Sequence, residues 1–201
     1  MIVLDIEASG TNYEKHSILS LGALDLDHPE NRLYLQCQAW EGAHIDPEAL
    51  EVNGFSETEA TDDTKETEAQ LTAQFLTWAE GVEDQTLAGQ NVSFDRDFVK
   101  AACERAKYNY PFAHRTIDTH TLAYMHHILH GQAVPFDKRH SALNLDAIMN
   151  YVGIPDEPEP HNALTGALAH AEVISRLLYH RPLLPEFSQY PLTDVCTPKP
   201  S

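Results

Sequence analysis

Residues 1–10 read MIVLDIEASG. The apolar positions of Met1–Glu7 predict a buried strand, and that strand decides the fold, because it must be covered by other elements. Two acids interrupt it. Asp5 and Glu7 stand two apart, and side chains at that spacing point to the same face of a strand. Carboxylates on one face of an apolar strand are costly unless something neutralises them. A hard divalent cation with oxygen ligands does this. The plainer alternative is that the strand ends at Asp5 and both acids meet solvent.

Outward from this strand, Ile18–Asp27 and Arg32–Trp40 predict two more, joined by a turn at His28–Asn31 that carries Pro29 and Asn31. The three form an antiparallel meander. Helices are predicted near Glu48–Asn53, over Glu66–Glu80 and over Ser93–Lys107, with a short strand in Gln85–Gln90. Thr116 opens another short strand that passes into a helix from about Thr119. Two further helices follow, Ser141–Tyr151 and the long one within HNALTGALAHAEV (residues 161–173) and beyond it. Three strands in succession, then strands alternating with helices, predict an α/β fold: a five-stranded mixed sheet with helices on both faces. Residues 1–180 are read as one domain. Residues 181–201, with five prolines, are read as an extended tail, packed in its first half and disordered at its end.

Composition narrows the class. The chain has 201 residues, 42% of them hydrophobic, which suits one well-packed domain. It lacks an apolar run long enough for a membrane span, and its acidic N-terminus is unlike a signal peptide. Cys37, Cys103 and Cys196 are odd in number and widely spaced, as free thiols in a reducing cytoplasm would be. With 31 acidic and 13 basic residues the formal charge is −18. That excludes broad electrostatic binding of nucleic acid, which needs a basic surface. It leaves room for a nucleic-acid enzyme that holds its substrate through metal ions. The acidic stretch Ser56–Ala69 is read as a solvated loop entering a helix.

Two further stations stand out. In GQNVSFDRDF (residues 89–98) Asp95 and Asp97 lie near the start of a helix. Asp97 is assigned to the favourable dipole there. His161 stands at the entrance to the last long helix. Of the 12 histidines, most are ordinary. His126, His127 and His130 lie at spacings that would suit a metal, but no carboxylate or cysteine accompanies them, and they are read as a helix face. His114, His120 and His140 carry no signal.

Taken together, DIEASG, NVSFD and the histidine of HNALTGALAHAEV resemble the three motifs of the DEDDh family of 3′–5′ exonucleases, which have a ribonuclease-H-like fold. The similarity runs from Ile2 to about Leu178 and includes the weaker stretches PEALEVNGF, TIDTHTLA and ALNLDAIMNYVGIP. The resemblance implies that Asp5, Glu7 and Asp95 are metal ligands and that His161 is the general base. It implies two ions, Mg²⁺ or Mn²⁺, in keeping with all-oxygen ligation. Asp5 and Glu7, with a fourth acid, would hold one ion; Asp5 and Asp95 would hold the other. An imidazole, whose ordinary pKa is about 6.5, suits the proton transfer. The implied partners are 3′ ends of single-stranded DNA or RNA, or short oligonucleotides, and a homodimer is common among such enzymes.

The family's fourth acid lies five residues after the histidine, and here that position is Gly166. Glycine also costs a helix about 1 kcal/mol relative to alanine. Three readings stand: an inactivating substitution, a natural departure compensated by Glu172 or a water, or a non-catalytic relative. Glu172 lies six positions further along the helix, too far round to replace the acid without distortion. The expected function is therefore 3′–5′ exonuclease activity impaired by Gly166. The alternative is a protein on the same fold that holds nucleic-acid ends without cutting them.

Overall fold

The structure is a computed structural model and describes residues 1–157 and 159–196. Its centre is β1 (Ile2–Ala8), which continues past both acids rather than ending at Asp5. β2 (Ile18–Asp25) pairs antiparallel with β1, and β3 (His28–Gln36) antiparallel with β2. β4 (Leu87–Gly89) and β5 (Thr116–Asp118) add in parallel on the other side, giving the order β3-β2-β1-β4-β5. This is the predicted five-stranded mixed sheet.

The third strand begins earlier than its sequence suggests. The turn lies at Leu26–Asp27, where the Asp25 carboxylate accepts from Asp27 N and contacts the His28 ring. Pro29 therefore lies within β3. That strand is at the sheet edge, where a missing N–H is tolerated.

Among the described residues there are seven α-helices: α1 (Pro47–Asn53), α2 (Glu57–Ala60), α3 (Glu68–Ala79), α4 (Ser93–Ala106), α5 (Thr119–Leu129), α6 (Leu145–Val152) and α7 (Ala163–Tyr179). Two departures have local causes. The stretch read as a solvated loop contains α2, whose capping box joins Ser56 and Glu59. The helix expected from Ser141 begins only at Leu145, because the Asn144 side chain accepts from Ala147 N and caps it. A small hairpin, β6 (Phe136–Asp137) with β7 (His140–Ser141), precedes it.

Alternation along β1 sorts the layers. Ile2, Leu4 and Ile6 pack with Leu71 and Phe75 of α3 and Phe98 of α4. Val3 faces the other way, onto Ala167, Ala171 and Ile174 of α7. Asp5 and Glu7 share the parity of Val3, so both point to the α7 side.

The start of α7 is fixed by two devices. The Asn162 side chain accepts from Leu164 N at 3.0 Å and donates to the Tyr34 hydroxyl of β3 at 3.0 Å. Gly22 of β2, the register partner of Asp5, lets the α7 backbone lie against the sheet. A Cβ at Gly22 would fall 2.2 Å from the Ala163 carbonyl oxygen. Backbone cannot yield as a side-chain tip can. Gly22→Ala is therefore expected to lower stability by about 1–3 kcal/mol, read as a fall in urea midpoint. An unchanged midpoint would show that α7 is not clamped there.

The C-terminal segment packs further than expected. Fully buried Glu172 accepts from Leu183 N and Leu184 N, each at 2.9 Å. Arg176, equally buried, donates to the carbonyls of Tyr190 at 2.8 Å and Val152 at 3.0 Å. The two side chains pair at 2.7 Å. Paired and hydrogen-bonded in this way, the buried charges are compensated, and they hold the chain against the domain as far as Cys196. The disordered end expected for the tail lies outside the described residues. No helix among the described residues is long and apolar enough to cross a membrane.

Candidate active site

β1 and β4 pair only at Ile2–Leu87 and Val3–Ala88. Beyond this the two strands part, and the Ile6 N–H is left facing the gap. β4 ends at Gly89, the chain turns, and the first turn of α4 delivers Asp95. The Asp95 carboxylate accepts from Ile6 N at 3.0 Å in a buried hydrogen bond. The gap lies outside the carboxyl ends of two parallel strands, where open α/β sheets place their ligand sites.

Asp5, Glu7, Asp95 and His161 line one cavity of about 220 Å³ in this gap. The four residues singled out in the sequence are thus brought together. Asp97 is not among them; it pairs with Arg96 at 2.8 Å. Glu157 and His170 also line the cavity, and the sequence reading missed both. Glu157 lies in the acidic, proline-rich stretch before His161, which reads as a connector. His170 is on α7, four residues after Gly166, and only 2% exposed.

The electrostatics are those of a carboxylate cluster without an organic cation. Among the described residues, none of Asp5, Glu7, Asp95 or Glu157 forms an ion pair. Burial, then the charges of Asp95, Glu7 and Glu157, hold Asp5 well above the usual carboxylate range. Burial, then Glu157, pushes Glu7 up to about 7. Burial pushes Asp95 up to about 8, against its backbone hydrogen bonds. Burial likewise raises Glu157, opposed by Thr165 and His161. Burial drives His170 down to about 4, keeping it neutral.

The donor chemistry fits a hard divalent cation: four carboxylates and no thiol around the cavity. The side chains are not drawn in to ligating distance. Among the described residues no group of three His, Cys, Asp or Glu is assembled closely enough to hold a metal ion as it stands. Asp5 leans toward α7 instead. A Cβ at Gly166 would lie 2.2 Å from Asp5 Oδ2, so the Asp5 carboxylate fills the space that a side chain at 166 would need.

These shifts set a pH dependence. In the unfolded chain Asp and Glu lose their protons near pH 4. In the folded, metal-free protein Glu7 and Asp95 keep theirs to about 7 and about 8. The folded state binds more protons across this window, so stability from these groups is lost as pH rises through it. A divalent cation replaces those protons. The increase in melting temperature on adding Mg²⁺ is therefore expected to be larger at pH 8 than at pH 6. An increase independent of pH would show that the cation binds elsewhere.

The histidines on α5 are not a plain helix face. His126 and His127 are buried, and stack on His130 and Tyr151 respectively, each with ring centroids 3.9 Å apart. They lie outside the cavity described above.

Glu172, one candidate for compensation at Gly166, is committed to Arg176 and to the C-terminal segment.

Comparison with known proteins bears on the family and the fold. Residues 2–174 match the exonuclease family RNase_T. Ribonuclease T of Yersinia pseudotuberculosis is 29% identical over 194 residues, covering 88% of this chain and 83% of that protein. Ribonuclease T of Haemophilus influenzae is 30% identical over 171 residues, covering 71% and 72%. Among solved structures, E. coli exonuclease I in complex with a dA16 oligonucleotide aligns with 89% of this chain at a TM-score of 0.65 and 17% identity. Exonuclease I of Methylocaldum szegediense aligns with 90% at 0.70 and 20%. At these identities the structural likeness bears on the fold, which is ribonuclease-H-like. The chain spans about 42% and 40% of those two exonuclease I chains. With the family matched along most of its length and the motif residues gathered at one cavity, the chain belongs to the RNase_T exonuclease family of DEDD-type 3′–5′ exonucleases.

Proposed function

We propose that the protein removes nucleotides from the 3′ ends of single-stranded DNA or RNA, short oligonucleotides included, by two-metal hydrolysis with Mg²⁺ or Mn²⁺. The observation that carries this is the meeting of Asp5, Glu7, Asp95 and His161 at one cavity in a chain of this family. Two relatives support the substrate class: one is named ribonuclease T, and one structure is of exonuclease I with dA16.

Asp5, Glu7 and Asp95 would hold the ions, which when bound supply positive charge for the departing oxygen and lower the pKa of the attacking water. His161 lies at the rim, in the segment leading into α7, and lines the same cavity. There its ring takes the proton of the attacking water. The family's fourth acid is absent at Gly166, so the activity is reduced relative to relatives that keep all four. The same vacancy favours the second reading, a protein that holds 3′ ends without cutting them.

We place the protein in the cytoplasm. Cys37, Cys103 and Cys196 support this, since all three are buried free thiols. We treat residues 1–180 as the catalytic domain and the C-terminal segment as a strap closing over α7.

The test uses single-stranded DNA and RNA oligonucleotides labelled at the 5′ end, with Mg²⁺, Mn²⁺ or EDTA. A ladder shortening from the 3′ end, absent in EDTA, is the expected result. Binding without cleavage in either metal would favour the second reading. Cleavage in EDTA, or of closed circles, would contradict both.

A further inference from the structure

The vacancy at Gly166 raises the question of where a fourth carboxylate could come from. It does not come from further along α7, because Glu172 is fully buried and accepts from Arg176, Leu183 and Leu184. One other carboxylate lines the cavity with Asp5, Glu7 and Asp95, and it is Glu157.

Its placement is specific. Glu157 Oε1 accepts a hydrogen bond of 2.9 Å from the hydroxyl of Thr165, the neighbour of Gly166. The same hydroxyl lies 2.8 Å from the Asn162 carbonyl, and its single proton serves one or other of the two oxygens, so it is held against the first turn of α7. This sets the Glu157 carboxylate beside the turn from which an aspartate at 166 would project. The Thr165 hydroxyl and the Asn162 backbone N–H both favour its charged form, and a carboxylate has about four acceptor sites, so acceptor capacity remains for a ligand. The group is half-buried and makes no ion pair among the described residues. His170, one turn beyond Gly166 and 2% exposed, also lines this cavity, and among the described residues its Nδ1 lacks a hydrogen-bond partner. The polar lining of the cavity thus extends past the motif residues to Glu157 and His170.

We propose that Glu157 supplies the site's fourth carboxylate to the divalent cation, from the segment before α7, in place of the acid missing at Gly166. The assignment rests on the exonuclease reading of the site. On this assignment the activity is expected to be impaired rather than absent, since a side chain on a connecting segment is held less rigidly than one on a helix.

The test is Mn²⁺ binding followed by electron paramagnetic resonance, with melting curves in EDTA, on the wild type and three variants. Glu157→Gln keeps the size and the Thr165 acceptor but removes the charge. It is expected to weaken Mn²⁺ binding by about tenfold or more, with no fall in melting temperature in EDTA. Adding Gly166→Asp to Glu157→Gln is expected to recover binding, because the nearest atoms a Cβ there would meet are those of the Asp5 carboxylate, which can turn aside. Asp5→Asn reports on the site itself and is expected to lose binding whatever the role of Glu157. Wild-type binding in Glu157→Gln, with loss in Asp5→Asn, would overturn the role of Glu157 and leave the exonuclease reading intact. Wild-type binding in Asp5→Asn would overturn that reading. Loss in Glu157→Gln without recovery by Gly166→Asp would overturn the equivalence of the two carboxylates.

Discussion

Asp5→Asn is expected to lower exonuclease activity by about 10³-fold or more. In the proposed site Asp5 is the ligand shared by both ions. A metal contributes several kcal/mol of charge stabilisation to the transition state, and each 1.36 kcal/mol is a factor of ten in rate. The substitution is nearly isosteric, so the cost does not come from packing. Stability moves the other way. In the absence of metal, Asp5 is a partly buried acid among like charges, held well above its ordinary pKa. Removing that charge relieves the cluster, and the melting temperature in EDTA is expected to rise above pH 7. Paired measurements of rate and melting on the wild type and the variant check this. A variant that keeps its activity, or that melts earlier in EDTA, would place the function of Asp5 elsewhere.

His161→Ala is expected to lower kcat by about 10²–10⁴-fold, the usual contribution of a positioned general base. His161 does not belong to the carboxylate set, so Mn²⁺ binding is expected to stay within about twofold of the wild type, a change smaller than the loss of even an indirect ligand contact. α7 should persist, because its cap is Asn162 and its anchor is the close approach at Gly22. The combination of lost rate and kept metal separates a base from a ligand. Unchanged kcat would reduce His161 to a residue at a helix entrance.

How these residues were legible in the chain has a physical explanation. Asp5 and Glu7 stood out because acids on an apolar strand violate a strong pattern, and period-two alternation assigned both to one face. Asp95 and His161 carried weaker local signals, a helix start and a helix entrance, and gained weight only from their order along the chain. The glycine at 166 was visible as a gap in that order. What it faces was not visible, because the contact with Asp5 depends on Gly22 bringing α7 onto β2. Glu157 was hidden for a related reason. Its neighbours Asp156, Pro158, Glu159 and Pro160 make it read as one acid in a solvated connector, and only the folded chain sets it against Thr165.

The fold was read well where periodicity is long, as in β1 and α7. It was misplaced where one side chain resets a boundary. Asp25 draws the hairpin turn forward by its contacts with Asp27 and His28. Asn144 delays α6. β6 and β7 are two residues each, too short to leave a pattern. The C-terminal segment looked like a tail because its prolines were counted, while its partners, Glu172 and Arg176, are buried side chains of α7 whose contacts no sequence pattern shows.

The central claim is that catalysis is carried by divalent ions held in the gap between β1 and α4. Anomalous diffraction from crystals equilibrated with Mn²⁺ tests it most directly. The account predicts one or two anomalous peaks among Asp5, Glu7 and Asp95, with Glu157 turned toward them. A well-ordered Mn²⁺-saturated crystal with no peak among these carboxylates, or with its peaks at other side chains, would contradict it.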